Sequence, residues 1–277
     1  MKLLTLNTHS LVGEDNERRL AELVEAVAKE LPEVIALQEV NQTAAAKPVT
    51  GKLRGYVQCE KGVTVRADNY VYRAVELLRK KGADYWWTWL PVKRGYDRYD
   101  EGVALLSRSR ILETDVVQVS EIEDYDNWKT RRIVGARTEA LPDEWFYSVH
   151  FGRWDDAEEP FRQQWIRTAI HMTKHDHAWL MGDFNAPALV TGEGYELMTR
   201  SYWQDSYTLA EKKDDGITVE DTIDGWSDKG AGGMRIDQIW CNKKAVVTSS
   251  EVIFNGKKYP VVSDHYGVMI NYERSIV

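Results

Sequence analysis

The run WLMGDFNAP, residues 179–187, places a carboxylate and an amide two positions apart, Asp183 and Asn185. In an extended chain residues i and i+2 face the same side, so both groups can look into one pocket where a strand over Trp179, Leu180 and Met181 ends. A carboxylate beside an amide suits a water to be activated and an oxygen-rich ligand to be held. An Asx-turn, in which both side chains bond only nearby backbone, is the alternative use of the same pair. Acidic or amide residues recur where other apolar runs stop: Asn7, Glu39, Asp237, and Asp264 with His265. These run ends are expected to converge on one pocket. Their oxygens are the ligand set of a hard cation, Mg²⁺ or Mn²⁺. The absence of an HExxH motif or a Cys/His cluster argues against zinc.

Periodicity predicts the elements that must carry these groups. Residues 2–8 read as a buried strand, and residues 16–31 as a one-faced helix with Leu20, Leu23, Val24, Val27 and Leu31 inside, stopped by Pro32. A second apolar run, 34–37, ends in Gln38 and Glu39, completing a strand–helix–strand opening of α/β type. Residues 41–67 are expected to form a long surface loop, and Asp68 or Asn69 to cap a second helix. A run dense in aromatics, 84–90, and the polar stretch KRGYDRYDEG, 93–102, expected to be a loop, precede strands expected near 102–106, 111–119, 133–138 and 145–150. A helix over 161–174 precedes the central run. Residues 192–232 read as mostly irregular, followed by strands at 235–241 and 246–254 and by the stretch 261–272, which carries SDHYGVMI.

The bulk properties narrow the function classes. Of 277 residues, 43% are apolar and 29% charged, ordinary for a globular chain with a sizeable core. No linker, repeat or low-complexity stretch divides it, so 1–277 reads as a single domain. A net charge of −8 argues against affinity built on neutralising nucleic-acid phosphates. Cys59 and Cys241 make no disulfide framework. MKLLTLNTHS lacks a signal-type apolar region and no run is long enough to span a membrane, so a cytoplasmic enzyme is expected.

Taken in order from residue 3 to residue 270, the set LNTH, LQEV, YDEGVALLSR, SVHF, GDFN, IDQIW and SDHYG resembles the endonuclease/exonuclease/phosphatase superfamily. That superfamily includes pancreatic-type deoxyribonuclease, abasic-site endonucleases, neutral sphingomyelinases and inositol polyphosphate 5-phosphatases. The resemblance implies a four-layer α/β/β/α sandwich, two mixed sheets packed face to face with helices outside. It implies Glu39 as the principal Mg²⁺ ligand, assisted by Asn7, with Asp264 as a further metal or water contact. Asp183 would orient or deprotonate the attacking water, Asn185 would hold the phosphate, and His265, fixed by Asp237, would stabilise charge. His150 matches a second histidine, Glu101 the carboxylate paired with it, and Tyr99 a phosphate-contacting tyrosine. Arg131 or Arg132 matches a basic contact.

Other histidines and tryptophans read more plainly. His171, His175 and His177 fit a helix C-terminus, and His9 a structural role. Trp87, Trp145, Trp179 and Trp240 lie in apolar runs, as core residues do. Trp128, Trp154 and Trp226 lie in polar loops, as loop anchors or as a stacking wall for a ring-bearing substrate. The opening LNTHS and the loop DNWKTR look like those of bacterial maltose 6′-phosphate phosphatases. The leading expectation is thus a Mg²⁺-dependent phosphoesterase of a small phosphorylated molecule, best a phosphosugar monoester. A DNA endo- or exonuclease is the alternative, a sphingomyelinase-like diesterase the third, and a catalytically silent binding module the reading of another class.

Overall fold

A computed structural model describes residues 1–220 and 233–274. Two mixed sheets carry the chain. The first, with seven strands, centres on β1 (Lys2–Asn7), β2 (Val34–Thr43), β4 (Tyr99–Ser107) and β13 (Gly267–Glu273), with β3 (Trp86–Gly95) at one edge. The second, with six strands, centres on β6 (Arg132–Thr138), β7 (Trp145–His150), β8 (Ala178–Asp183) and β11 (Asp237–Cys241). β1 and β2 run parallel, as do β7 and β8, while β13 and β11 run antiparallel to β1 and β8.

Alternation along the strands builds three apolar layers. Leu3, Val34, Ala36 and Leu105 of the first sheet meet Phe146, Trp179, Met181 and Ile239 of the second. The opposite face of the first sheet, with Leu4, Leu6, Ile35 and Leu37, packs on helices α1 (Asn16–Glu30) and α2 (Tyr70–Lys80). The outer face of the second packs on α3 (Phe161–Met172) and α4 (Gly194–Arg200). This is the expected α/β/β/α order. No described helix is long and apolar enough to cross a membrane.

Several local expectations need correcting. The stretch 93–102 is largely a hairpin: β3 and β4 pair through Lys93–Glu101 and Arg94–Asp100. Only residues 96–98 turn, and Tyr96 and Asp97 take φ of 49° and 57° there, the left-handed pair that a tight hairpin favours. Its charged residues mask strand periodicity because one of its faces lines a polar cavity. The interval expected to be mostly irregular contains α4 and a short helix, Ser206–Leu209. β8 and β7 approach too closely for a side chain at Gly182, where a Cβ would lie 2.0 Å from the Val149 carbonyl.

Candidate active site

Antiparallel pairing decides why residues from both ends of strands meet. Asn7 and Asp183 close β1 and β8, and His150 closes β7. Asp237 opens β11, and Asp264 and His265 lie just before β13. Because β11 and β13 run opposite to β8 and β1, their beginnings share the edge where those strands finish. Asp237 is therefore a strand beginning, not the run end expected from sequence. Glu39 stands inside β2, at a register irregularity between Leu37 and Val40, with φ of 50°. Such a bulge re-aims a side chain, and a left-handed glutamate is a strained conformation of the kind found at functional sites. Gln38 beside it ties the sheets together, donating to Ser148 Oγ at 2.9 Å.

The groups converge on Asp183. Its Oδ2 accepts a bond from Asn7 Nδ2 at 3.2 Å and lies 3.6 Å from His150 Nε2 and 3.9 Å from His265 Nε2. Asn7 Nδ2 also donates to Glu39 Oε1 at 2.9 Å. His265 Nδ1 sits 2.9 Å from Asp237 Oδ2. Both readings of the aspartate–asparagine pair hold at once. Asp183 Oδ1 accepts from the Asn185 backbone N–H at 2.9 Å, a local turn, while Asp183 and Asn185 still line the cavity. His9, expected to be structural, belongs to the site: its Nδ1 is 3.2 Å from Glu39 Oε2 and 3.7 Å from Asp264 Oδ2. Its position two residues after Asn7 was the available signal.

Of these groups, Glu39, His150, Asp183, Asn185 and His265 line the floor of a cavity of about 430 Å³. Its walls come from the β3–β4 hairpin and from two polar loops stitched to each other. Lys129 Nζ bonds Asp156 at 2.9 Å, and the Glu159 carboxylate accepts from the backbone of Glu121 and Ile122 at 3.0 and 2.6 Å. Trp128 stands at the rim, 59% exposed, with Tyr96 also lining the space. Trp154 instead packs on Phe161 against the core, a loop anchor. Trp226 lies outside the described residues.

The remaining matched positions divide. Arg131 is buried and lines the cavity, whereas Arg132 pairs with Glu60 at 2.6 Å outside it. Tyr99 is buried, is absent from the cavity wall, and donates to the Leu11 carbonyl at 3.0 Å. Glu101 pairs with Lys93, at 3.1 Å, rather than with the expected His150. Lys93 was missed because a lysine in a charged stretch reads as solvated. His171 and His175 gather on Asp115 away from the cavity, at 2.6 and 3.8 Å. Tyr147 donates to the same Asp115 oxygen at 2.6 Å and approaches His175 at 2.7 Å. His177 lies 3.7 Å from Glu144. His171 lies in the last turn of α3 and His175 and His177 beyond it, as expected. Burial lowers His175 and His177 toward the neutral form, however, so contacts with Asp115, Tyr147 and Glu144 fix them rather than a helix-dipole effect on a cation.

Electrostatics sorts the floor into roles. Burial raises the Asp183 carboxyl well above the ordinary aspartate range. Burial, and then Arg131, lowers His150 far below the usual histidine value, so its ring is neutral near pH 7. His265 goes the other way: burial alone would lower it, but Asp237 and then Asp183 carry it up to about 10, an imidazolium. Glu39 stays ionised although burial opposes it, because the hydrogen bonds from His9 and from the Asn7 amide favour the charged form. An ionised glutamate with amide and carboxylate oxygens around it fits a hard divalent cation. Asp183, Asp237 and His265 are also close enough to share an ion. However, Asp237 is buried behind the cavity and its Oδ2 is already bonded to His265, so Glu39 is the better-placed ligand.

A family model, the Endonuclease/Exonuclease/phosphatase family, matches residues 4–265. An endonuclease/exonuclease/phosphatase family protein from Leptotrichia buccalis C-1013-b is 33% identical, with 99% of this chain and 100% of that chain covered and a TM-score of 0.86. A mannosyl-6-phosphatase from Bacteroides thetaiotaomicron VPI-5482 is 15% identical, with coverage of 99% and 100% and a TM-score of 0.66. A 3′ phosphatase from Neisseria bound to a product DNA hairpin is 18% identical, with coverage of 99% and 100% and a TM-score of 0.64. The last two likenesses are of fold. No curated protein matches the chain.

Proposed function

We propose, from the premise that this chain belongs to the endonuclease/exonuclease/phosphatase family, that its cavity hydrolyses phosphate monoesters of small polyhydroxylated molecules. Members of the family are metal-dependent phosphoric ester hydrolases, and so is this chain. The observation that carries the substrate class is the placement of the reactive floor inside a walled cavity of about 430 Å³. That is the size range of small-ligand sites. An aromatic rim of Trp128 and Tyr96 above mixed charges suits a sugar ring and its hydroxyls. A duplex would need an open, basic groove, and the net charge of −8 opposes one. A solved neighbour of the same fold is named a mannosyl-6-phosphatase. Maltose 6′-phosphate is the specific candidate.

Each floor residue then has a task. Glu39, with Asn7 and Asp264 beside it, would hold Mg²⁺ or Mn²⁺, which when bound polarises a phosphoryl oxygen. Asp183, its affinity for a proton raised by burial, accepts one from the attacking water. The Asn185 amide and Arg131 orient the phosphate, and imidazolium His265, held by Asp237, stabilises charge that develops on it. Neutral His150 offers a hydrogen bond and no charge. Trp128 carries the substrate ring.

The test is a panel of maltose 6′-phosphate, other phosphosugars, nucleotides, plasmid DNA and abasic DNA on one Mg²⁺-loaded preparation. Phosphosugar turnover is expected to exceed DNA cleavage, with mild salt dependence. Efficient nicking at low enzyme concentration, with no phosphosugar consumed, would overturn the reading in favour of a nuclease.

A further inference from the structure

We propose that Lys93 makes the cavity select a phosphate carrying two negative charges over one carrying a single charge. The inference rests on the phosphomonoesterase reading above and assigns its selectivity to one residue. Lys93 lies on β3 across from Glu101 on β4, just after a register irregularity that begins at Pro91. Bulges turn a strand locally, and here the side chain lines the cavity while only 11% exposed.

Its ammonium has three N–H groups. One bonds Glu101 Oε1 at 3.1 Å and another the Trp128 carbonyl at 3.1 Å, which leaves one donor. Arg131 bonds the same carbonyl at 2.7 Å, and its buried Nε meets no acceptor among the described residues. Two buried cations thus share one neutral acceptor. Among the described residues Glu101 is the sole carboxylate in ion-pair contact with either. Buried like charges are costly unless an anion joins them. A phosphomonoester near neutral pH brings close to two negative charges and three acceptor oxygens. A diester brings a single charge and one fewer terminal oxygen, so it gains less from Lys93.

The test compares kcat/KM for p-nitrophenyl phosphate and bis(p-nitrophenyl) phosphate at saturating Mg²⁺. The two probes share a leaving group, so the change in their ratio when Lys93 is replaced reports its contact with the second charge. Lys93→Met should lower monoester turnover about a hundredfold, the scale of one lost charge contact, and change diester turnover by less than about threefold. Lys93→Arg, which keeps the charge, should restore most of the ratio. Because Lys93→Met leaves Glu101 buried without its partner, the double variant Lys93→Met/Glu101→Gln serves as the folding control. It should melt near wild type and retain the altered ratio. Inhibition by inorganic phosphate should weaken in parallel. Equal losses on both esters in the folded double variant would overturn the role of Lys93 and leave the phosphomonoesterase reading standing. A wild type that prefers the diester would overturn both.

Discussion

Replacing Asp237 by Asn tests the charge balance on which the floor depends. The His265 ring is 5% exposed and Asp237 is fully buried, with 2.9 Å between Nδ1 and Oδ2. Burial by itself would drive the ring neutral, yet Asp237, with help from Asp183, raises it from 6.5 to about 10. That displacement corresponds to about 5 kcal/mol of preference for the imidazolium. Asn keeps the shape but removes the larger favourable contribution, so burial prevails and His265 becomes neutral at pH 7.5. Turnover of p-nitrophenyl phosphate at saturating Mg²⁺ should then fall at least about a hundredfold, the usual scale for one charge stabiliser. The alkaline limb of the variant's pH profile should move to lower pH, because the ring loses its proton earlier, while the acid limb set by the raised Asp183 carboxyl remains. A group whose folded value is raised stabilises fully below its unfolded value and loses that contribution as pH rises through its folded value. The stability gap between wild type and Asp237→Asn should therefore be widest below about pH 6.5 and narrow through about pH 10. Urea unfolding at several pH values and imidazole NMR of His265 read this directly. A variant with turnover within about threefold of wild type and an unchanged pH profile would refute the reasoning.

Four further variants have outcomes set by the same geometry. Glu39→Gln keeps size but removes the charge of the proposed principal ligand, so Mg²⁺ affinity measured by calorimetry should weaken and turnover drop about a hundredfold; wild-type affinity would remove Glu39 from the site. Trp128→Ala should raise KM for a phosphosugar about tenfold, the scale of one lost stacking contact, and leave p-nitrophenyl phosphate nearly unchanged. Trp154→Ala should instead cost about 2 kcal/mol or more of stability with little effect on KM, and the opposite pattern would exchange the two roles. Gly182→Ala, with its Cβ 2.0 Å from the Val149 carbonyl, should lower stability by about 3 kcal/mol or prevent folding, visible as loss of the cooperative melt.

Much of the architecture was legible because it rests on local chemistry. Apolar runs marked β1, β7 and β8, helical spacing marked α1, and Pro32 marked where α1 stops, whereas Gly182, expected to break its strand, lies inside β8 and pairs on both sides. Polar residues at the ends of those runs named Asn7, Asp183 and Asn185 before any contact was known, since a polar group at the end of a buried run has to face something other than core. The hairpin over 93–102 was illegible for the converse reason. A strand facing a polar cavity carries charge on the face that normally supplies apolar periodicity.

What the sequence by itself determined is the order of elements, the apolar faces that form the layers, and the chemical types available at the strand ends. Which side chains share space was decided only by the tertiary structure. Arg131 and Arg132 are adjacent in sequence, but one lines the cavity and the other pairs with Glu60, because neighbouring residues of an extended chain face opposite sides. Trp128 and Trp154 sit in similar polar loops, yet one stands at the rim and the other against the core. Glu101 meets Lys93 because the register of β3 on β4 puts them opposite, and Gln38 meets Ser148 across 110 positions of sequence. Periodicity and breakers act over a turn or a few residues, whereas register and sheet packing bring together groups whose separation along the chain carries no local signal.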